Sequence, residues 1–378
     1  MREDGWEPAA PACLTVSNNI RLQQNPPVSG GNVTSADDLH PEARLAESAR
    51  KIRPPYRLDP TLCLYSPQAN RDALEHPQVK SWLEFIGEEW EPEPGKRMAL
   101  LIPCTKYKPY NTSREHRAIN AALLDAGWEP EGDSATPAEL LALLDDGEEP
   151  VLLHNGPLRK GDVRLDRIVM SEPLALVPYP YIYEWNGRQS VATSYDDPGL
   201  FEARGTSVSP ERPDSTATAL ANGKWRWGPN EREAYVRVHN RLADLIATVL
   251  GRVGSRYAAI GAWVSPGLTH RSFLANQALR RTECLPLSRR GPDGPLALRG
   301  ALDAVPGSVT IMPTVVQQAE AKEAFAKRLA HQGRVATRGA VAALYARGDG
   351  CDTPLGLPES LLHLTRWLDA QLNGLRRS

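Results

Sequence analysis

Residues 97–116 read RMALLIPCTKYKPYNTSREH, and this stretch decides the expected fold. Met98 to Ile102 form a short unbroken apolar run, which is typical of a strand buried on both faces of a sheet. Pro103 ends the run, and Cys104 follows at the exit of the predicted strand. Because ligand sites in open α/β sheets form beyond the carboxyl ends of the strands, the sequence predicts that this thiol lies at a binding site.

Further apolar runs and amphipathic stretches extend the pattern. Short apolar runs predict strands at 151–154, 167–170, 174–177, 257–264 and 308–312. Helical periodicity predicts helices at 41–51, after Ser113, at 137–144, from Asn230 with Glu233 as its capping-box partner, and at 317–331, 338–347 and 358–375. Strands separated by helices predict an α/β fold, a three-layer sandwich with a parallel or mixed central sheet and a helical C-terminal part.

Composition divides the chain into three segments. Residues 1–40 are polar and rich in Pro and Gly, so we expect a flexible lead. Residues 41–280 carry most of the predicted sheet and form the expected core domain, and residues 281–378 form a basic, mainly helical part packed on it. Residues 271–378 hold 15 Lys and Arg against 9 Asp and Glu, although the whole chain has a net charge of −2. The C-terminal part is therefore the better candidate for contacting phosphate.

Several classes of protein are not indicated. The chain has 41 % hydrophobic and 24 % charged residues, as in ordinary globular proteins, and no run approaches the roughly 20 apolar residues of a membrane span. No secretory segment is visible, so we expect a cytoplasmic protein without membrane contact. The cysteines form no CxxC pair, and no His, Cys, Asp or Glu positions have metal-ligand spacing, so no metal and no cofactor are expected. Glycine-rich nucleotide-binding motifs are also absent.

Chemically useful side chains follow the predicted strand as Cys104-x-x-x-Lys108-Pro-Tyr110-x-x-Ser113-x-x-His116. Ser113 and His116 lie three residues apart and would share a helix face. A helix capped by Ser113 would point its positive end toward Cys104, and Lys108 would also favour the thiolate. The residues alone leave two interpretations open, a reactive thiolate or a buried, chemically inert cysteine beside solvated lysines.

Two other segments carry candidate binding residues. Aromatic side chains alternate from Tyr179 to Trp185, and in an extended segment they would share one face. That face would stack on a purine-like base, with Glu184 contacting its edge; an amphipathic edge strand is the alternative. His270 and Arg271 follow the strand predicted at 257–264, a position that favours a phosphate or substrate contact, although such a pair in a loop is more often solvated surface.

The spacing from Cys104 to His116 closely resembles the PC-x-x-x-KPY-x-x-S-x-x-H signature of archaeosine synthases, which are relatives of the tRNA-guanine transglycosylases. Every fixed position matches. The segment SEPLALVP at 171–178 also resembles that family's TSPLGLVP segment, from which Glu172 and Ala175 depart. The resemblance runs over roughly half of the chain, from about residue 76 to about residue 273, and the family's transglycosylase-like barrel and terminal RNA-binding domain are not recognisable.

The resemblance implies an enzyme that acts on 7-cyano-7-deazaguanine in tRNA and adds the amine of lysine to its nitrile. Cys104 would attack the nitrile carbon and form a thioimide, and His116 or Lys108 would move the proton. Tyr110 and Ser113 would orient the base. The remaining residues of the expected substrate-binding set are Ser171, Tyr181, Glu184, His270 and Arg271.

The identity of the substrates stays open at this point. The deazaguanine could belong to tRNA, to modified DNA or to a free nucleoside, and the donor could be lysine or another amine. A separate transglycosylase is a candidate partner. A second hypothesis is a non-catalytic module that binds a deazaguanine-bearing nucleic acid and presents it to such an enzyme, and a third is another nitrile reaction on the same scaffold, such as hydration to an amide.

Overall fold

A computed structural model describes residues 40–134, 136–266, 269–334 and 337–377. The predicted N-terminal lead, apart from His40, lies outside the described residues. The helices are α1 (Pro41–Lys51), α2 (Pro67–Ala73), α3 (Pro77–Glu84), α4 (Arg114–Asp125), α5 (Ala138–Leu141), α6 (Pro229–Val253), α7 (Thr269–Leu274), α8 (Gln277–Thr282), α9 (Val315–His331), α10 (Arg338–Ala346) and α11 (Pro358–Leu375). The strands are β1 (Arg97–Pro103), β2 (Glu129–Pro130), β3 (Leu158–Lys160), β4 (Val163–Ser171), β5 (Ala175–Pro178), β6 (Glu184–Trp185), β7 (Arg188–Gln189), β8 (Thr218–Ala219), β9 (Trp225–Arg226), β10 (Ala259–Trp263), β11 (Ser288–Gly291), β12 (Gly294–Ala297) and β13 (Thr310–Met312).

A mixed sheet forms the centre of the fold, in the order β13-β10-β1-β4-β3-β2, with β5 also paired to β4. The four strands β13, β10, β1 and β4 are parallel, whereas β3 and β5 run antiparallel to β4. Met98 of β1 pairs with Ala259 on one side and Leu165 on the other. Every residue of β1 is buried, as the unbroken apolar run predicts. The α/β fold with a mixed central sheet is confirmed.

Helices cover the sheet in two groups. The chain passes from β1 through α4 to β4 on one side of β1, and from β4 through α6 back to β10 on its other side. Right-handed crossovers in these opposite directions put α4 and α6 on opposite faces. On one face α11 packs on α4, and its Trp367 lies against Gly261 of β10. On the other, Leu245 of α6 packs against Gly87.

Two predicted elements differ from the structure. The strand predicted at 151–154 is a 3₁₀ turn, Pro150–Leu153, and a short apolar run cannot distinguish a strand from another buried segment. The long helix α6 is capped at Gly228, with Glu231 three residues on, rather than at Asn230 with Glu233. Pro229 occupies the first helical turn, where its missing N–H leaves no backbone partner unmet.

The C-terminal segment contributes to the sheet as well as to the helices. Strand β13 lies beyond the boundary predicted at residue 280, yet it pairs with β10. The three last helices have a small apolar cluster of their own, formed by Ala321, Phe325, Leu329, Tyr345 and Leu357. In the described part of the chain, no helix combines the length and the apolar character that crossing a membrane would require.

Candidate active site

Three neighbouring parallel strands end at one edge of the sheet, and each is followed by a chemically useful side chain. Cys104 comes directly after β1, Glu172 directly after β4, and His270 lies on α7 after β10. The order β10-β1-β4 therefore brings together residues that are far apart in the sequence. The backbone N–H of Cys104 donates to the carbonyl of Met170 at 2.8 Å, which holds the first turn after β1 beside the end of β4. This edge is where open α/β sheets place their binding sites.

The three side chains form a compact triangle. Cys104 Sγ lies 3.3 Å from His270 Nε2 and 3.7 Å from Glu172 Oε2, and Nε2 lies 3.4 Å from Oε2. Glu172 and His270 are buried, while Cys104 is partly exposed. Cys104 and His270 line a cavity of about 350 Å³, and Glu172 contacts the same nitrogen of His270 that faces the sulfur. The arrangement can move a proton between a nucleophilic sulfur and an imidazole that a carboxylate holds in place.

Burial and the neighbouring charges act in opposite directions on the three pKa values. Burial raises the pKa of the Cys104 thiol, and the opposing effect of His270 is smaller. Burial alone would lower the pKa of His270, but the charges of Glu172 and Cys104 raise it well above its usual value. Burial alone would raise the pKa of Glu172, but the charge and hydrogen bond of His270, together with hydrogen bonds from the backbone and Cys104, lower it. These directions favour a protonated His270 beside an ionised Glu172.

The rest of the cavity wall carries both signs of charge. The charged residues in the wall are Lys51, Lys106, Glu115, Asp196, Asp197, Arg204 and Asp352. Asp197 is buried, and burial raises its pKa to about 7 against the opposing effect of Lys108. The Arg204 guanidinium lies over the Phe201 ring, 3.9 Å from its centroid. A ligand with both a cationic and an anionic group would find complementary charges here.

Lys108, a predicted catalytic residue, lies beneath this wall rather than in it. Its side chain is fully buried, and Nζ donates to the Thr105 carbonyl at 2.9 Å and lies 3.4 Å from Asp197 Oδ1. Burial alone would lower its pKa, but the charges of Asp197 and Cys104 raise it instead. Lys108 thus supplies a fixed positive charge next to the cavity, and its role in proton transfer stays a prediction.

His116, the second predicted proton carrier, is not brought together with the Cys104 thiol. Its Nε2 donates to the Pro103 carbonyl at 2.8 Å, and its Nδ1 accepts from the Tyr179 hydroxyl at 2.9 Å. The ring is fully buried, and burial lowers its pKa to about 4. With both nitrogens engaged, the neutral ring contacts the residue before Cys104, and its role in proton transfer stays a prediction.

Tyr110, Ser113 and Ser171 are also buried, in the shell that supports the site. The Tyr110 hydroxyl donates to Ser171 Oγ at 3.1 Å and lies 2.9 Å from the Tyr195 hydroxyl, which also contacts Ser171. Ser113 caps α4 by accepting the backbone N–H of His116 at 3.2 Å, so the predicted cap is confirmed. None of the three lines the cavity. Their place in substrate binding stays a prediction.

The aromatic segment 179–185 does not form a stacking face. Its start is a 3₁₀ turn, Tyr179–Tyr181, so the period of two does not put the rings on one side. Tyr179 contacts His116, and Tyr183 donates to the Leu153 carbonyl at 2.7 Å. Tyr181 packs edge-on against Trp82, and Glu184 is exposed in a short hairpin. Neither Tyr181 nor Glu184 lines the cavity around Cys104.

Arg271, next to His270, has a structural set of partners. Its side chain is buried and forms an ion pair with Glu283. Its Nη1 also donates to the carbonyls of Val264 and Pro313, at 3.2 and 3.1 Å, which join the ends of β10 and β13. The guanidinium thus makes its contacts within the folded core and does not line the cavity.

Sequence reasoning missed Glu172 and Asp197. Glu172 departs from the family segment that it was compared with, although its position after a predicted strand is a usable signal. Asp197 lies in an irregular region without periodicity, so nothing in the sequence connects it with Cys104. The structure also makes Cys104, Glu172 and His270 a group that could hold a metal ion. Spacing along the chain could not show this, because the three lie on different strand ends.

Comparisons with known proteins find similarity over parts of the chain. Residues 79–129, which include β1 and α4, match the family model described as "Domain of unknown function (DUF5591)". A stretch of 54 residues is 35 % identical to archaeosine synthase subunit alpha of Thermococcus kodakarensis. That match covers 14 % of this chain and only 10 % of the length of that protein. No solved structure matches. A part of the chain is thus similar to an archaeosine synthase subunit. Cys104 lies within the matched family model, whereas Glu172 and His270 lie outside it.

Proposed function

We propose that the protein is a transferase that adds an amine to the nitrile of a 7-cyano-7-deazaguanine derivative, with Cys104 as the nucleophile. The observation that carries the proposal is the 3.3 Å separation of Cys104 Sγ and His270 Nε2 at the wall of a cavity. A nitrile is a weak electrophile, so addition needs a sulfur nucleophile and a proton donor held at the same carbon–nitrogen bond. The 54-residue similarity to an archaeosine synthase subunit supports this substrate class.

The first chemical step forms a thioimide. Cys104 Sγ bonds to the nitrile carbon, and one π bond of the nitrile breaks. The His270 imidazolium donates its proton to the nitrile nitrogen and takes up the proton that the thiol loses, so the imidazole ends the step in its starting state. Glu172, 3.4 Å from the same ring nitrogen, stabilises the imidazolium throughout. The thiol adds across the nitrile without any additional reagent.

The second step transfers the amine. A donor ammonium group gives one proton to Asp197, whose pKa of about 7 suits a base at neutral pH. The neutral amine attacks the thioimide carbon, the carbon–sulfur bond breaks, and the proton held by Asp197 returns to restore the Cys104 thiol. The product is an amidinium ion, the protonated form of the amidine, which keeps the remaining amine protons and the positive charge of the donor. Lysine suits the mixed charges of the cavity wall, because it presents both ammonium and carboxylate groups.

The decisive experiment incubates tRNA carrying 7-cyano-7-deazaguanine with free lysine and protein, followed by digestion to nucleosides and mass spectrometry. We expect a lysine-adduct mass with wild type and with Cys63→Ala, a matched control that removes a free, partly buried cysteine outside the cavity. Cys104→Ala should give no adduct. The same assay with DNA and with the free nucleoside identifies the form of the substrate.

If wild type and both variants bind the tRNA but none forms the lysine adduct, lysine transfer to tRNA is contradicted. If DNA and nucleoside also gave no adduct, the alternative would be favoured, a module that binds a deazaguanine-bearing nucleic acid without catalysis. Equal adduct formation by wild type and Cys104→Ala would exclude the sulfur nucleophile. Circular dichroism of each variant shows whether a loss of adduct follows from loss of the fold.

A further inference from the structure

Two features of the Cys104 triangle are not used by the transfer chemistry. In a hydrogen-bonded triad of nucleophile, imidazole and carboxylate, each neighbour takes a different ring nitrogen. Here Cys104 Sγ and Glu172 Oε2 both approach His270 Nε2, at 3.3 and 3.4 Å. A single N–H cannot be directed well at both atoms. In addition, Glu172 Oε1 is buried and has no hydrogen-bond partner among the described residues, which is unusual for a carboxylate that is only 1 % exposed.

We propose a binding site for a divalent cation with affinity for thiolate, such as Zn²⁺, formed by Cys104, Glu172 and His270. Thiolate, imidazole and carboxylate are the three protein ligands that zinc uses. Tetrahedral zinc has bonds of about 2.3 Å to sulfur and about 2.0–2.2 Å to nitrogen and oxygen, so its ligand atoms lie roughly 3.3–3.6 Å apart. The three observed separations are 3.3, 3.4 and 3.7 Å. A cation at the centre of this triangle therefore requires little movement of the side chains.

The ligand count also determines the character of the site. Structural zinc sites are closed by four protein ligands, whereas three ligands leave a position for water or another small molecule. Cys104 and His270 line the cavity, so solvent cations have access to the site. The free Glu172 Oε1 gives the carboxylate a second oxygen for the metal. Binding would release the thiol proton and the imidazolium proton, since both groups must be deprotonated to act as ligands.

Metal and substrate would compete for the same sulfur. A Cys104 thiolate bound to zinc cannot attack a nitrile carbon, so we expect the metal to act as a reversible inhibitor. This consequence rests on the proposed function, whereas the metal site itself does not. Chelation would restore the free thiol, and zinc availability would thereby control the activity.

Metal binding is measured on the full, tag-free chain after removal of metal with a chelator. Titration with Co²⁺ should give a near-ultraviolet sulfur-to-cobalt charge-transfer band that saturates at one equivalent, and Zn²⁺ should displace the cobalt. Cys63→Ala should behave as wild type. We expect Cys104→Ser to lose the band, and Glu172→Gln to raise the dissociation constant at least tenfold. Absence of the band in wild type, or an unchanged band in Cys104→Ser, would overturn the site.

Inhibition is tested separately in the tRNA adduct assay. Zn²⁺ at the concentration that saturates the site should lower adduct formation at least tenfold, and a chelator should restore it. Metal binding with unchanged adduct formation would overturn the competition and the proposed nucleophile, but not the metal site. Adduct formation that depends on Cys104 in a protein that binds no Co²⁺ or Zn²⁺ would overturn the metal site and leave the transferase proposal standing. The two proposals therefore fail in distinguishable ways.

Discussion

Two histidines flank the same strand end and differ in their hydrogen-bond partners and in the direction of their pKa shifts. His116 contacts the carbonyl of Pro103, and His270 contacts the sulfur of the next residue, Cys104. Both rings are buried. His116 faces a carbonyl and a phenol hydroxyl and its pKa falls to about 4, whereas His270 faces the Glu172 carboxylate and its pKa rises. Burial alone does not set the charge of a histidine, because a paired carboxylate can reverse its effect.

The comparison also separates two parts of the motif. The first part, Cys104, belongs to the cavity, while Tyr110, Ser113 and His116 belong to the packed interior that positions it. On the proposed function, the motif combines the nucleophile with the residues that hold it, and the imidazole that would move the proton comes from a different strand end. The following predictions test this division, in order of decreasing effect.

The largest expected effect is on catalysis by His270→Gln. The variant removes the group that donates and accepts the proton, and general acid–base catalysis contributes about 10²- to 10⁴-fold to a rate. We expect the single-turnover rate of adduct formation to fall by a factor in that range, with tRNA affinity unchanged. The matched variant His116→Gln should retain a rate within about tenfold of wild type if it folds. A larger loss in His116→Gln than in His270→Gln would reverse the assignment of the two rings.

The next effect is on stability, where we expect the loss of the His116 ring to matter most. His116→Ala removes a ring that packs against Tyr179 and takes one hydrogen-bond partner each from the buried Tyr179 hydroxyl and Pro103 carbonyl. Because two buried hydrogen bonds are lost and the ring leaves a cavity, we expect the free energy of unfolding in urea to fall by about 3 kcal/mol. His331→Ala, at an exposed histidine in the last turn of α9, is the control and should change it by less than about 0.5 kcal/mol. Equal effects of the two substitutions would show that His116 does not support the strand end.

The sequence predicted the parts of the site that depend on local patterns. The apolar run at 98–102 placed Cys104 at a strand exit, and Ser113 was recognisable as a helix cap. The order of the strands is a long-range property, so the sequence could not show that Glu172 and His270 meet at Cys104. The alternating aromatics at 179–185 were misleading because a period of two places side chains on one face only in extended backbone.

Adjacent residues on α4 should give opposite dependences of stability on pH. Burial raises the pKa of Glu115 to about 7, so the folded state holds a proton that the unfolded state loses above about pH 4.5, and stability falls as the pH rises to 7. His116, with a pKa of about 4, makes stability rise with pH between about 4 and 6.5. The two slopes partly cancel in wild type.

A single substitution separates these slopes. Glu115→Gln removes the falling contribution and keeps a polar partner for Thr353. Relative to wild type, its free energy of unfolding should therefore improve by about 2 kcal/mol between pH 5 and pH 8. Urea unfolding of both proteins across this range measures the difference. If the difference in free energy of unfolding between the two proteins were the same at every pH in this range, Glu115 would be ionised throughout it. The cavity wall beside His270 would then be better solvated than its burial indicates.

The smallest expected effect is at the cavity rim, where Lys106 pairs with Asp352 at 3.1 Å. The two side chains are 52 % and 46 % exposed, so solvent and salt screen the pair. Lys106→Ala should lower the free energy of unfolding by less than about 1 kcal/mol, and the difference should vanish at high salt. A loss that exceeds this limit and persists in salt would mean that the pair fixes the segment around Asp352 over the cavity. Such a result would extend the supporting shell of Cys104 from the packed interior to its solvent side.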